Sequence, residues 1–376
     1  MATHDAIVLG LGGMGSAALF ELARRGRRVL GLEQYPPAHA RGSSHGHTRI
    51  IRTAYFEHPD YVPLVRRAFG RWHELEQLTG RHLLTGCECL TVGPDRGELV
   101  EGVRAAAARH DLPVTEMSAD DLRRCYGVFH VPDGFVGIRE QAAGFLYVED
   151  CVRTHLDAAG ARGAVVRAEE PVVGWAAAGD SVEVRTTAGT YHAARLVVTA
   201  GAWATGLLRD AGVPLAVMRQ TPLWFEPREP APFRRDRFPI FIADTPAGAF
   251  YGLPMIDPRG VKVARHYGAP ELASPAEVDW AVTAGDEAPV RRFLDTYLPG
   301  HFGRRTDGQV CMYTLTPDRH FVIDRHPLHP AVAVAAGFSG HGFKFAPAVG
   351  EILADLADRG RTDLPIALFR ANRFAG

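Results

Sequence analysis

Apolar and polar positions follow one another along the chain in an order that predicts a mixed α/β protein with a β-rich insert. Residues 5–10 are an apolar run that predicts a buried strand. Residues 16–25 show helical spacing, and 28–33 predict a second strand. An amphipathic helix is expected over 61–78, strands over 84–92 and 135–147, and helices near 97–109 and 119–125. A helix over 151–162 precedes strands over 164–169, 171–176, 181–186 and 195–199. The last of these runs through small residues into a helix over 202–211. From 217 to 266 the pattern turns to β, with segments at 221–225, 238–242, 249–253 and 261–265, and a charged, proline-rich loop at 226–236. Helices near 275–283 and 287–298 and a strand over 307–314 follow. The α/β pattern then returns with the run 331–337 and a helix from about 344 to 358. Since it flanks the insert on both sides, the chain predicts two interleaved portions, not two consecutive ones.

The first fifty residues carry a specific form of this pattern. A strand runs into Gly10-Leu-Gly12-Gly13-Met14-Gly15, a helix follows, and the second strand ends on Glu33. Gly10 permits a tight turn, Gly12 lets backbone N–H groups approach a pyrophosphate, and Gly15 lets helix and strand pack closely. The helix N-terminus offers its positive dipole end to the phosphates. Glu33 is placed to accept hydrogen bonds from ribose hydroxyls and to repel a 2′-phosphate. This predicts dinucleotide binding and leaves NAD and FAD open. Residues 36–53 favour FAD, because a long polar segment stands where a simple NAD fold would begin its next βα unit. Ile50 and Ile51 between Arg49 and Arg52 predict that this segment is ordered.

Composition narrows the class without naming a chemistry. With 376 residues, two or three domains and a large core are expected; 46% hydrophobic and 23% charged residues fit a soluble globular protein. A net charge of −1 gives no bulk field for nucleic acid or an anionic membrane. No apolar run reaches the ~18–20 residues of a transmembrane helix, and the first residues lack the basic and apolar regions of a secretory signal. The final Phe-Ala-Gly is not a peroxisomal Ser-Lys-Leu address. Five cysteines, Cys87, Cys89, Cys125, Cys151 and Cys311, are too few and odd in number for a disulfide framework, so a cytoplasmic location is expected.

Of the 42 basic side chains only Lys262 and Lys344 are lysines. An ammonium is a compact charge with a movable pKa, whereas guanidinium is a broad fork that stays charged. Two lysines in an arginine-rich chain therefore mark places where arginine does not serve.

Four segments together closely resemble the monomeric sarcosine oxidase and N-methyltryptophan oxidase family. They are the glycine turn with Glu33, Gly42-Ser43-Ser44-His45-Gly-His-Thr48-Arg49-Ile-Ile-Arg52, Cys311-Met312-Tyr313-Thr314, and Ala336-Gly337-Phe338-Ser339-Gly340-His341-Gly342-Phe343-Lys344. The resemblance extends from residue 5 to 374. It implies a glutathione-reductase-like Rossmann FAD domain (1–84, 143–214 and 315–376) interleaved with a substrate domain on a mixed, largely antiparallel sheet (85–142 and 215–314). It also implies an oxidase of secondary amino acids: hydride leaves the carbon of the C–N bond, the imine hydrolyses, and dioxygen is reduced to hydrogen peroxide.

By the same resemblance, Cys311 bonds the flavin 8α carbon and Lys262 stands near flavin N5 to activate oxygen. Arg52 and Lys344 grip the substrate carboxylate, His45 and Arg49 lie against the flavin ring, and Tyr251 and His266 flank the substrate amine. Further implied FAD contacts are Gly13, Met14, Gln34, Ser43, Ser44, Thr48, Val172, Ala200, Gly201 and Trp203, with Met312, Tyr313, Phe338, Gly340, His341 and Gly342 on the opposite side. The implied partners are a small amino acid and dioxygen, acting on a monomer with no metal. Residues 241–250 and 255–259 depart from the sarcosine-oxidase sequence, so the amino acid itself stays open. The competing readings are a flavin dehydrogenase or biosynthetic imine-forming enzyme passing electrons elsewhere, against which Lys262 argues, and a non-catalytic nucleotide-binding protein, against which both lysines and Cys311 argue.

Overall fold

A computed structural model describes residues 4–178 and 181–374. The outermost positions of the expected FAD domain, 1–3 and 375–376, lie outside the described residues. Two eight-stranded sheets organise the chain. In the first, His4–Leu9 lies between Val29–Leu32 and Thr190–Val198, parallel to both, and Val165–Arg167 extends it beyond Val29–Leu32. On the other side Val332–Ala336 pairs parallel with the end of Thr190–Val198, and Val322–Arg325 closes that edge antiparallel. The first half of Thr190–Val198 instead joins an antiparallel meander with Ser181–Thr186 and Val172–Ala178. Val29–Leu32 and Val332–Ala336 are buried throughout, as parallel strands covered by helices should be. Helix Gly13–Arg24 packs against helices Val148–Gly160 and Ala346–Arg359. Its contact with Ala346–Arg359 is close enough that a Cβ on Gly350 would lie 2.6 Å from the Ala17 carbonyl carbon.

The second sheet runs in the order Phe302–Gly308, Leu223–Pro227, Val261–His266, Gly248–Leu253, Ile240–Thr245, Cys89–Pro94, Phe135–Glu140, Val114–Met117. All its pairs are antiparallel except Ile240–Thr245 with Cys89–Pro94. Phe250 stacks on Phe293 of helix Ala284–Tyr297 at 4.5 Å, which seals one face with an aromatic core. Two three-stranded sheets bind these layers together. Thr48–Ile51 pairs with Gly144–Tyr147, which also pairs with Leu84–Gly86. Ala216–Gln220 lies between Glu271–Leu272 and Cys311–Leu315. The expected α/β class, with a Rossmann-type layer and a largely antiparallel one, is the observed architecture.

Several elements differ from expectation for local reasons. The runs 84–92, 135–147 and 307–314 are each two strands belonging to different sheets, so each turns a corner that an apolar run cannot show. The expected helix over 275–283 is a single 3₁₀ turn, Pro275–Glu277. Beyond it, Arg219 donates to the carbonyl oxygens of Asp279 (2.6 Å) and Ala281 (2.5 Å), which removes acceptors a helix would need. The expected helix over 202–211 is likewise broken into Gly201–Trp203, Ala204–Leu207 and Arg209–Ala211, and Trp175 Nε1 takes the Leu207 carbonyl at 3.0 Å.

Candidate active site

The sharp turn after the first strand opens a cavity of about 490 Å³ between the two large sheets. Gly10 sits at φ +85°, and a Cβ there would lie 2.7 Å from Thr199 O. A Cβ on Gly15 would lie 1.8 Å from Gly10 O, so helix and strand meet backbone to backbone. Helix Gly13–Arg24 starts at Gly12, which offers no side-chain cap of its own, and has no acid in its first turn; Gly12, Gly13 and Met14 line the cavity. A positive helix end left free of its own anions suits a pyrophosphate. Glu33 and Gln34 line the same end. The Glu33 carboxylate accepts from Leu11 N at 2.8 Å and from Tyr35 N at 3.1 Å, which fixes it at the strand end. Val172, Ala200, Gly201 and Trp203 form the facing wall. These residues fit FAD: glycines where backbone must approach, an open helix N-terminus, and an anchored acid.

Residues 36–53 fold over the middle of the cavity. Ser44 Oγ accepts from Gly13 N at 2.9 Å, and Ser43 Oγ donates to Met312 O at 2.5 Å, which ties the loop to the start of the first helix and to strand Cys311–Leu315. Arg49 donates to Ser43 O and Thr48 O, each at 2.9 Å. Cys311, Met312 and Tyr313 line the wall opposite. Burial pushes the Cys311 thiol up, against the pull of Arg49 and Lys262. Phe338, Gly340, His341 and Gly342 complete this wall, where a Cβ on Gly340 would lie 2.4 Å from the Tyr313 ring.

At the far end Arg52 and Lys344, both buried, line the cavity with Tyr251 and His266. Arg52 donates to Glu57 Oε2 (2.7 Å) and to Ala54 O (2.6 Å), and its guanidinium lies 4.4 Å from the Tyr55 ring centroid. Lys344 Nζ donates to His341 O at 2.7 Å and to Tyr55 OH at 3.2 Å. Burial and the neighbouring Arg52 hold the Lys344 ammonium down at about 7. Burial works against the Glu57 carboxylate, but Arg52, His341 and Lys344 together outweigh it and keep the group at about 2. Burial also lowers His266 to about 4 and His341 to about 3, so both rings are neutral near pH 7. His266 Nδ1 lies 3.2 Å from Tyr313 OH, and Tyr251 stands edge-on to His266 at 6.1 Å.

Three expected residues stand behind the lining. Gly15 is buried in the helix–strand contact. Lys262, 2% exposed, reaches from the second sheet to Gly46 O (2.7 Å), Thr48 O (2.9 Å) and Thr48 Oγ1 (3.4 Å), 5.1 Å from the Trp224 ring centroid. Burial, reinforced by Arg49, holds its pKa well below the usual lysine range. His45 Nδ1 lies 3.3 Å from Gln309 Oε1, while its Nε2 is buried with no partner; burial lowers the ring to about 4.

Sequence reasoning missed Glu57, Phe56 and Leu253 at the Arg52–Lys344 end, and Glu149 and Gln309 beneath the loop; Ile242, in the divergent segment 241–250, lines that end as well. Glu149 accepts from Gly46 N (2.8 Å) and His47 N (3.1 Å). An acid five residues after Arg52 was the one available signal.

The FAD dependent oxidoreductase family matches residues 5–356. The monomeric sarcosine oxidase of Streptomyces avermitilis is 43% identical over 99% of this chain and 98% of its own length. The N-methyl-L-tryptophan oxidase of Yersinia pestis is 35% identical over 99% of both. In fold alone, NikD, an unusual amino acid oxidase essential for nikkomycin biosynthesis, superposes with a TM-score of 0.84 at 24% identity, over 98% of both chains. With the glycine turn, the anchored acid and the cavity between the sheets, these likenesses place the chain: it belongs to the FAD dependent oxidoreductase family, among the relatives of monomeric sarcosine oxidase and N-methyltryptophan oxidase.

Proposed function

We propose that the chain is an FAD-dependent oxidase of secondary amino acids, N-methylated or cyclic, which acts as a cytoplasmic monomer and reduces dioxygen to hydrogen peroxide. One observation carries the reading: a single cavity begins at the glycine turn, passes the buried Cys311, and ends between Arg52 and Lys344. Relatives named for sarcosine and N-methyl-L-tryptophan supply the substrate class. When bound, FAD supplies a hydride acceptor for the carbon next to nitrogen and a route for both electrons to dioxygen.

The chain's own residues bind, orient and desolvate. Arg52 provides a guanidinium fork and Lys344 a point charge for a planar carboxylate. Holding the amino acid there fixes which C–H faces the cofactor. The amine then lies among Arg49, Arg52 and Lys344 in a dry pocket, which lowers its pKa and favours the neutral amine that gives up hydride. His266 and Tyr251 flank that amine as neutral groups, so neither adds a charge that would hold its proton. Cys311 Sγ is assigned as the covalent attachment to the flavin 8α carbon. Lys262 is assigned to dioxygen reduction, where an aimed cation stabilises developing negative charge.

A peroxide-coupled screen of N-methyl and cyclic amino acids against their decarboxylated amines tests the reading. Turnover is expected for the acids and little for the amines; equal turnover of both would end the carboxylate-clamp reading. The same purified protein should keep its yellow colour in the acid precipitate, and full release of flavin into the supernatant would rule out attachment at Cys311.

A further inference from the structure

Behind the Val172–Gly201 wall of the cavity, Asp210, His326 and His329 form a separate cluster on the surface. His326 Nε2 lies 3.2 Å from Asp210 Oδ1, and His329 Nε2 lies 3.3 Å from Asp210 Oδ2. All three ligand atoms fall within 4.8 Å of one another. A tetrahedral ion with bonds of ~2.0–2.1 Å holds neighbouring ligand atoms roughly 3.3–3.4 Å apart. Each imidazole Nε2 thus already stands at such an edge distance from the shared carboxylate, one on each of its two oxygens.

The cluster is built, not a chance meeting of long side chains. Both histidines sit on one turn, His326-Pro327-Leu328-His329-Pro330, in which each histidine precedes a proline that restricts its backbone. The turn is closed by His329 N on His326 O at 3.2 Å, and its base by His326 N on Val332 O at 2.8 Å. The His326 side chain is fully buried, whereas Asp210 is half exposed and His329 about a third exposed. Trp175 stands edge-on to both rings, at 5.5 and 5.2 Å, and its Nε1 holds the carbonyl of Leu207, three residues before Asp210. One ligand is therefore fixed from inside and two face solvent, which leaves room for water in the remaining position.

We propose that Asp210, His326 and His329 bind a divalent transition-metal ion of the Zn²⁺ class as a structural staple. Two imidazoles and one carboxylate suit Zn²⁺, Ni²⁺ or Cu²⁺ and suit Mg²⁺ or Ca²⁺ poorly. Binding moves the His326 ring proton from Nε2 to Nδ1, so the 3.3 Å hydrogen bond from Leu328 N to Nδ1 is given up and no proton leaves a neutral site. The ion joins the Arg209–Ala211 turn to the corner before Val332–Ala336. Gly206 and Leu207 line the cavity just ahead of that turn, so the staple braces the cavity wall from outside.

The test is a competition titration of tag-free, flavin-loaded protein with Zn²⁺ and a chromophoric chelator, paired with thermal unfolding. Wild type should take up one Zn²⁺ per chain and unfold at a higher temperature with Zn²⁺ than without; Mg²⁺ should change neither. His329→Ala and Asp210→Asn should each weaken binding by more than the ~10–100-fold that losing an outer-shell partner costs and abolish the thermal shift, while flavin absorbance and basal turnover, which report that the variants fold, stay unchanged. His329→Gln serves if His329→Ala fails to fold. Absence of Zn²⁺ uptake by wild type, or equal uptake by wild type and Asp210→Asn/His329→Ala, overturns the proposal and leaves a hydrogen-bonded triad only.

Discussion

The two ends of the cavity are built by different means. The proposed nucleotide end is backbone: Gly10 at φ +85°, Gly15 against Gly10 O, a helix start with no cap or acid of its own and one anchored acid, all within the first 33 residues. The substrate end is side chains: Arg52, Glu57, Tyr251, His266 and Lys344, brought together from segments up to 292 positions apart. A backbone site tolerates almost no added atom but needs little chemistry. A side-chain site tolerates changes of shape but depends on the charge of each member.

The sharpest way to break this contrast is at Gly15. A Cβ 1.8 Å from a backbone oxygen has nowhere to go, so Gly15→Val should give protein without flavin, read by the ratio of visible to ultraviolet absorbance. Stoichiometric flavin in that variant would contradict the packing argument. Next in size is Lys262→Met, expected to slow reoxidation of the reduced enzyme by ~10²–10³, with anaerobic reduction by substrate changing far less. Stopped-flow traces of both half-reactions decide it, and unchanged reoxidation removes the assigned role.

Arg52→Ala comes third. Hydrogen bonds to charged groups contribute ~1.5–3 kcal/mol, so substrate binding should weaken by about 10- to 100-fold, with flavin retained. Loss of flavin there would mean that the two ends are not separable. The smallest effect is in pH. Lys344 is held at about 7, far below a free lysine, so its ammonium is lost as pH rises through that value. Competitive inhibition by a small carboxylate should therefore weaken by a few-fold, ~10-fold at most, between pH 6 and 8. Glu57, held at about 2, and His266, at about 4, do not change charge in this range. A flat profile would show that Lys344 is charged throughout or not needed.

The same contrast explains what could be read from the sequence. Strand, glycine turn, helix and acid follow each other with no long-range partner required, and the structure has them at His4–Leu9, Gly13–Arg24 and Val29–Leu32. The motifs around Cys311 and Lys344 were legible as motifs, but not the company they keep. Glu57 neutralises Arg52 across a turn with no periodicity, and Glu149 meets the Gly46 and His47 amides from about a hundred residues away. Helices over 275–283 and 202–211 failed to form in full because Arg219 and Trp175, distant in sequence, take carbonyl oxygens that a helix would use. Local propensity cannot anticipate a competing donor that only the tertiary fold delivers.

Lys262 has a consequence for recombining such enzymes. It grows from a strand of the antiparallel sheet, yet all three of its acceptor oxygens belong to the loop that covers the other sheet's cofactor cleft. The layer assigned to substrate choice thus carries a latch for the loop over the proposed nucleotide cleft. A chimera given a foreign second sheet keeps these three contacts under the loop only if the graft brings a lysine at that register; without it the loop loses that support, and the cation assigned to dioxygen reduction goes with it. Selectivity in this scaffold is therefore more readily exchanged pocket residue by pocket residue, at Phe56, Ile242 or Leu253, than by transplanting the sheet that bears most of them.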